Sequence, residues 1–173
     1  MNVWDAVTTQ HAVRRFSDRQ IAGEDLDRIL EAGRRSPSSN NDQRWGFILI
    51  TDRGRLRDLA AVGRFADHLE DAAAAIAFVT PDDEDPAENE SIAFDLGQAV
   101  QSMMLVDWEL GIGSCHVAVY EPELTRSLLG YPEGSRCDYL ISLGYRKEGA
   151  EVRDRTRPIE RRPIADLRHD EHW

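Results

Sequence analysis

The stretch from Asn89 to Leu110 restricts the fold more than any other. Its apolar residues (Ile92, Ala93, Leu96, Ala99, Val100, Met103, Met104, Val106 and Trp108) recur at helical spacing but cover more than one face. A helix that is apolar most of the way round has no side to give to water. It must be central, packed by its own domain or by another subunit. Gly111 and Gly113 end it. With 173 residues, the chain suits one domain with a sizeable core.

The flanking elements alternate. Asn2 caps an expected short helix from Val3 to about Thr9, with Trp4 and Val7 on one face for docking on a core. A helix opens at Gly23 and carries Leu26, Ile29, Leu30 and Gly33, with acids early and Arg34-Arg35 late. Pro37 ends it. Trp45–Thr51 reads as a strand buried on both faces, because its apolar run is nearly continuous. A helix with Leu56, Leu59 and Ala60 follows, then a second from about Arg64 to Asp71. Ala74–Thr80 is another buried strand, and Pro81–Glu88 an acidic, proline-bounded loop. Beyond the long helix come a short strand from Ser114 to Val119, a helix from Pro122 to Leu129 and a strand from Asp138 to Tyr145. This alternation implies α/β or α+β with one main sheet. Residues 146–173 form an arm with Ile164, Leu167 and Trp173, expected to pack on something, such as a second subunit.

Charge narrows the partners. A net charge of −11 disfavours nucleic acid, which needs a basic face. Positive charge is nevertheless clustered at Arg14-Arg15, at Arg34-Arg35 and at Arg153, Arg155, Arg157, Arg161 and Arg162. In an acidic protein such clusters suit one anionic ligand or an acidic partner surface. No apolar run approaches the roughly 20 residues of a membrane span. The N-terminus has no basic and apolar leader pattern, and the two cysteines show no metal or redox spacing, so a cytoplasmic setting is expected.

Several chemistries lack their signatures. There is no Gly-x-Ser-x-Gly, no P-loop and no Gly-x-Gly-x-x-Gly after a strand. Gly111-Ile112-Gly113 follows a helix and precedes a strand, the reverse of the dinucleotide order. Cys115 and His116 are neighbours on a strand and point to opposite faces. His169-Asp170-Glu171-His172 matches no strong zinc spacing.

What remains is a pattern for a planar anionic ligand. Ser36-Pro37-Ser38-Ser39-Asn40-Asn41-Asp42-Gln43 sets short donors and acceptors between an amphipathic helix and an apolar strand. Arg14, the glycine turn at 111–113 and Arg161-Arg162 complete it. Together they fit a flavin mononucleotide (FMN) site, which needs cations or N–H donors at the phosphate and polar groups along the ring edge.

Val13-Arg14-Arg15-Phe16-Ser17-Asp18, the block from Ser36 to Phe47, Leu110-Gly111-Ile112-Gly113-Ser114-Cys115 and the terminal Arg161-Arg162-Pro163-Ile164 run in an order that resembles the nitroreductase family of FMN-dependent oxidoreductases. The resemblance covers nearly the whole chain, and Pro-Ser-Ser-x-Asn-x-Gln-x-Trp-x-Phe is its most specific piece. It implies an α+β fold, with a central mixed sheet flanked by helices. It also implies one FMN-binding domain over 1–173, in an intertwined homodimer with an exchanged C-terminal arm at 146–173. By the same resemblance Arg14 approaches the flavin pyrimidine edge. Pro37, Ser38, Ser39 and Asn41 line the flavin from the second subunit. His116, Val117 and Ala118 offer backbone contacts, and Arg161 or Arg162 binds the phosphate. Gln10, His11 and Ala12 stand where many members have Arg-Arg-Ser or Arg-His-Ser. Gln10 donates without charge and Ala12 not at all, which shifts weight onto His11, Arg161 and Arg162. Arg44 replaces a common proline and Asn40 a common glycine. The implied activity is ping-pong hydride transfer from NADH or NADPH to a small-molecule electron acceptor such as a nitroaromatic, a quinone or an activated alkene. No side-chain acid or base is required. A flavin-storage protein with little turnover is the alternative.

Overall fold

The structure is a computed structural model that describes residues 1–150 and 161–173. Arg153, Arg155, Arg157 and Pro158 therefore lie outside the described residues. The elements are α1 (Val3–Thr9), α2 (Gly23–Arg34), β1 (Gly46–Ile50), α3 (Arg53–Leu59), β2 (Ala74–Pro81), α4 (Pro86–Glu109), β3 (Gly113–Ala118), α5 (Pro122–Leu129) and β4 (Ser135–Gly144). The strands form one sheet in the order β1-β2-β4-β3. Its three pairings are all antiparallel, so the mixed sheet expected above is not seen among the described residues.

Alternation along the strands sorts side chains into two layers. Ala74, Ile76, Phe78, Ile141 and Leu143 pack under α2 and α4 with Leu26, Ile29, Leu96, Val100 and Met103. Ala75, Ala77, Val117 and Leu140 face the opposite layer, where α3 and α5 contribute Leu56, Leu59, Leu128 and Leu129. Gly33 has no side chain because Met103 fills its place, which lets α2 and α4 approach closely. α4 packs on the sheet and on α2 as its apolar pattern leads one to expect, but Ala93, Phe94 and Gly97 stay exposed in the single chain. It starts earlier than expected, with Asp85 capping it by accepting the Ala87 N–H at 2.9 Å and Pro86 in its first turn. The end of the supposed acidic loop is thus helical.

Three other expectations are corrected. β1 is a sheet edge and not a strand buried on both faces, and Leu49 is exposed. The segment 64–71 holds one 3-10 turn at Asp67–Leu69 in place of a helix, because Ala66 and Leu69 insert into the core from an irregular path. α1 forms as expected, but it buries Ala6 and leaves Trp4 and Val7 exposed. Both cysteines are buried and reduced, and burial pushes the Cys137 thiol up to about 12. Among the described residues no helix is long and apolar enough to cross a membrane, and no group of His, Cys, Asp and Glu could hold a metal.

Candidate functional site

A strap from Gln10 to Ser17 runs across the open end of the sheet. The Val13 N–H donates to Ser114 O at 2.8 Å, and the Ser17 N–H donates to Tyr145 O at 2.8 Å. Phe16 bridges to Arg146. Val13 and Phe16 are buried, so the strap is pinned on both sides of Arg14. Gln10 closes α1 through its N–H to Ala6 O. His11 packs edge-on against Trp108 with ring centres 4.7 Å apart.

Arg14 lies close enough to His116 on β3 for its charge to reach the imidazole. Desolvation in the cleft is the larger effect, and with Arg14 it holds His116 below the usual histidine range. β3 is the other edge of the sheet. The Val119 N–H donates to Asp138 O, which fixes the hydrogen-bonding phase of the pair. By antiparallel alternation the backbone groups of Val117 face β4, while those of His116 and Ala118 face outward. Of the three expected backbone donors, two are therefore aimed at the open edge. The Val117 side chain is buried on the far face.

Next to His116 is a cleft of about 430 Å³ between α4 and the sheet. Ile92, Ala93, Leu96, Gly97 and Val100 form one wall, with His116 and Tyr139 opposite. Arg136 and Asp138 lie at its polar end. It offers an apolar wall facing two rings.

The polar loop after α2 lies elsewhere. Ser36 Oγ is 2.9 Å from Ser102 Oγ, and the Ser39 N–H donates to Asp95 Oδ2 at 2.8 Å. Asn40, Asn41 and Gln43 all have positive φ, of 51°, 60° and 50°. Asparagine visits this left-handed region readily, whereas for Gln43 it costs roughly 1–2 kcal/mol. The loop offsets this by bonding itself. The Gln43 N–H donates to Ser38 Oγ at 3.0 Å, and Gln43 Nε2 donates to Asn41 O at 3.0 Å. The Ser38 oxygen is thus already an acceptor, while Pro37, Ser39 and Asn41 present exposed side chains. Arg44 Nη1 bonds Glu88 Oε2 at 2.6 Å, tying the end of the loop to the start of α4.

The structure joins the strap to β3 but not to the loop. α4 turns about 100° per residue. Asp95, Gln98 and Ser102, which meet the loop, share one side. Ala93, Gly97, Val100 and Gln101, which line the cleft, share the opposite side. Within one chain the two halves of the expected site are separated by the thickness of α4. Residues 161–173 are exposed throughout, and Arg162 Nη2 donates to Asp166 O at 2.8 Å within the arm. Among the described residues no hydrogen bond or ion pair links Arg161 or Arg162 to the strap, loop or β3.

Asp95, Asp107 and Tyr139 were not anticipated. The two acids had a readable signal, since each interrupts the apolar run of the central helix. Asp107 is fully buried, and desolvation pushes its carboxyl up to about 8. Ser114 lies near enough to ease this shift, but no hydrogen bond of good geometry joins the pair.

The model of the nitroreductase family matches residues 7–77 and 61–145. A protein of Archaeoglobus fulgidus named "Putative NADH dehydrogenase/NAD(P)H nitroreductase" is 33% identical over 174 residues, covering 96% of each chain. An FMN-dependent nitroreductase from Clostridium difficile R20291 superposes with a TM-score of 0.76 at 26% identity, over 86% of this chain and 90% of that one. The NADPH:FMN oxidoreductase of Vibrio harveyi shares the fold, with a TM-score of 0.86 at 21% identity over 98% of this chain and 77% of its own. The family's matched segments take in the strap, the loop, the central helix and all four strands, and on these matches the chain belongs to the nitroreductase family.

Proposed function

We infer that the chain is an FMN-dependent NAD(P)H oxidoreductase whose site is completed by a second copy of itself. The observation that carries this reading is the placement of α4 between the two halves of the donor set. A helix flanked by half a site on each side gives whole sites only when two copies meet across it. The FMN and NAD(P)H named for its relatives supply the chemistry.

The residues present fit such a group. Two outward N–H groups on β3, a guanidinium carried beside them on the pinned strap and an apolar cleft wall answer to the donors, charge and face of a flavin ring. When bound, FMN supplies the two-electron chemistry that links a nicotinamide donor to an acceptor. Arg14 would set a cation at the pyrimidine edge, held there by the pinned strap on either side. His116 and Ala118 would donate backbone N–H groups to the ring. Ser39 and Asn41 of the second copy would meet the ring edge and ribityl chain, with Pro37 and Ser38 shaping their approach. Arg161 or Arg162 would neutralise the phosphate, with Gln10 and His11 as nearby donors. Desolvation and Arg14 hold His116 below the usual histidine range, which favours its neutral imidazole beside the Arg14 cation. No side chain needs to carry a proton, and the chain's work is to orient and to stabilise charge. The expected acceptors are planar electrophiles (nitroaromatics, quinones and activated alkenes).

The visible spectrum tests this. The purified protein with FMN should be yellow, bleach on mixing with NADH or NADPH, and regain its colour with a quinone or nitroaromatic. A yellow protein inert to both nucleotides is a storage protein. A colourless protein that takes up no FMN refutes the site.

A further inference from the structure

Asp95 sits between Phe94 and Leu96 within the apolar pattern of α4 and is only 7% exposed. A carboxylate in that setting is costly unless it is hydrogen-bonded. Its bond goes to the backbone of the polar loop, where Oδ2 accepts the Ser39 N–H at 2.8 Å. Among the described residues, no other side chain from outside 36–45 bonds the backbone of Ser38–Asn41. The remaining ties grip the loop at its ends. Ser102 holds Ser36, and Glu88 holds Arg44 through an exposed pair of the kind that contributes little. Between those ends, Asn40, Asn41 and Gln43 all have positive φ, a combination that a free chain rarely populates.

We propose that Asp95 is the positioning residue that sets the shape of the Ser38–Asn41 loop, and through it the affinity of the chain for FMN. The second part rests on the flavin reading above. The charge-assisted bond from a buried carboxylate fixes the Ser39 peptide plane. That plane determines where the side chains of Ser39 and Asn41 point. Asp95 faces the loop from the side of α4 opposite the cleft, so its effect passes entirely through the Ser39 N–H.

The test compares Asp95→Ala, Asp95→Asn and Leu56→Ala in the full-length protein. Leu56 is fully buried on the other side of the sheet, so Leu56→Ala lowers stability without touching the loop. The readouts are FMN affinity by flavin fluorescence and hydrogen exchange of the Ser39 amide in flavin-free protein. Asp95→Ala should weaken FMN binding at least tenfold and speed Ser39 exchange by a similar factor. Asp95→Asn keeps an oxygen acceptor and should restore both to within about threefold of wild type. Leu56→Ala should leave FMN affinity within about twofold. If Asp95→Ala does not fold, Asp95→Ser, too short to reach Ser39, takes its place with the same expectations. Wild-type affinity and exchange in the shortened variant would overturn the proposal, as would Asp95→Asn behaving like Asp95→Ala or Leu56→Ala losing FMN equally. Failure of the wild type to bind FMN would sink the flavin reading, while Ser39 exchange would still judge the role of Asp95 in the loop.

Discussion

Gly113 and Gly144 are cross-strand partners, and the strap that carries Arg14 rests on both. A Cβ on Gly113 would fall 2.5 Å from Val13 Cβ, and one on Gly144 would fall 2.7 Å from the Phe16 ring. Neither glycine is needed here for an unusual φ. Both make room for a segment crossing the sheet. Gly113→Ala should therefore push the strap off β3 and cost roughly 1–3 kcal/mol of stability. Urea unfolding would show this as a lower midpoint with unchanged slope. FMN affinity should fall with it, since the strap holds Arg14.

Arg14→Ala should retain the fold, because Arg14 makes no buried packing contact comparable to those of Val13 and Phe16. It removes the cation beside the outward edge of β3. Losing one preorganised charge of this kind typically slows a reaction about 100-fold. Stopped-flow bleaching by NADH or NADPH measures the effect, and Arg14→Lys should recover part of it. A bleaching rate equal to that of the wild type would remove Arg14 from the site.

The central helix and the loop were legible in the sequence for different reasons. α4 announced itself through apolar residues on more than one face. The loop showed as consecutive short polar residues bounded by Pro37 and Trp45. Three things were not legible. The 3-10 path of residues 60–71 carries apolar residues at near-helical spacing, and only the insertion of Val62, Ala66 and Leu69 into the core tells it from a helix. The all-antiparallel sheet was hidden because a helix separates each strand from the next, a pattern that by itself suggests parallel neighbours. Backbone phase along β3, which favours His116 and Ala118 over Val117 as donors, depends on pairing with β4 and leaves no trace in composition.

Asp107 gives the protein a pH dependence of definite sign. Its carboxyl lies in the last turns of α4, where the helix dipole also disfavours negative charge. Burial raises its pKa from 3.8 to about 8. Between those values the folded chain holds a proton that the unfolded chain has released. Stability contributed at this site is therefore fully present below about pH 4 and is lost as pH rises toward 8. Asp107→Asn removes the titration and keeps the shape. It should stabilise the protein increasingly from pH 5 to pH 8, by up to about 1.4 kcal/mol per pH unit. Urea midpoints at several pH values test this, and a variant that tracks the wild type at constant offset would contradict it.

The last prediction concerns the cleft face of α4. Ala93, Phe94 and Gly97 are exposed there in the single chain, and Phe94 is 73% exposed. A Cβ at Gly97 would meet nothing within 4 Å of its own chain. Small residues one turn apart on an apolar helix let a second helix approach closely, and such a face is costly to leave in water. Gly97→Arg should put a guanidinium where the second copy of the proposed dimer would pack. Its own fold should survive, because the added side chain projects into open space. Sedimentation velocity should report one copy for Gly97→Arg and two for the wild type. The same preparation should lose FMN, both because Arg14 and the Ser38–Asn41 loop then no longer meet and because Gly97 lines the cleft proposed for the ring. The two losses must occur together, and a monomeric Gly97→Arg protein that kept its FMN would show that one chain holds a complete site.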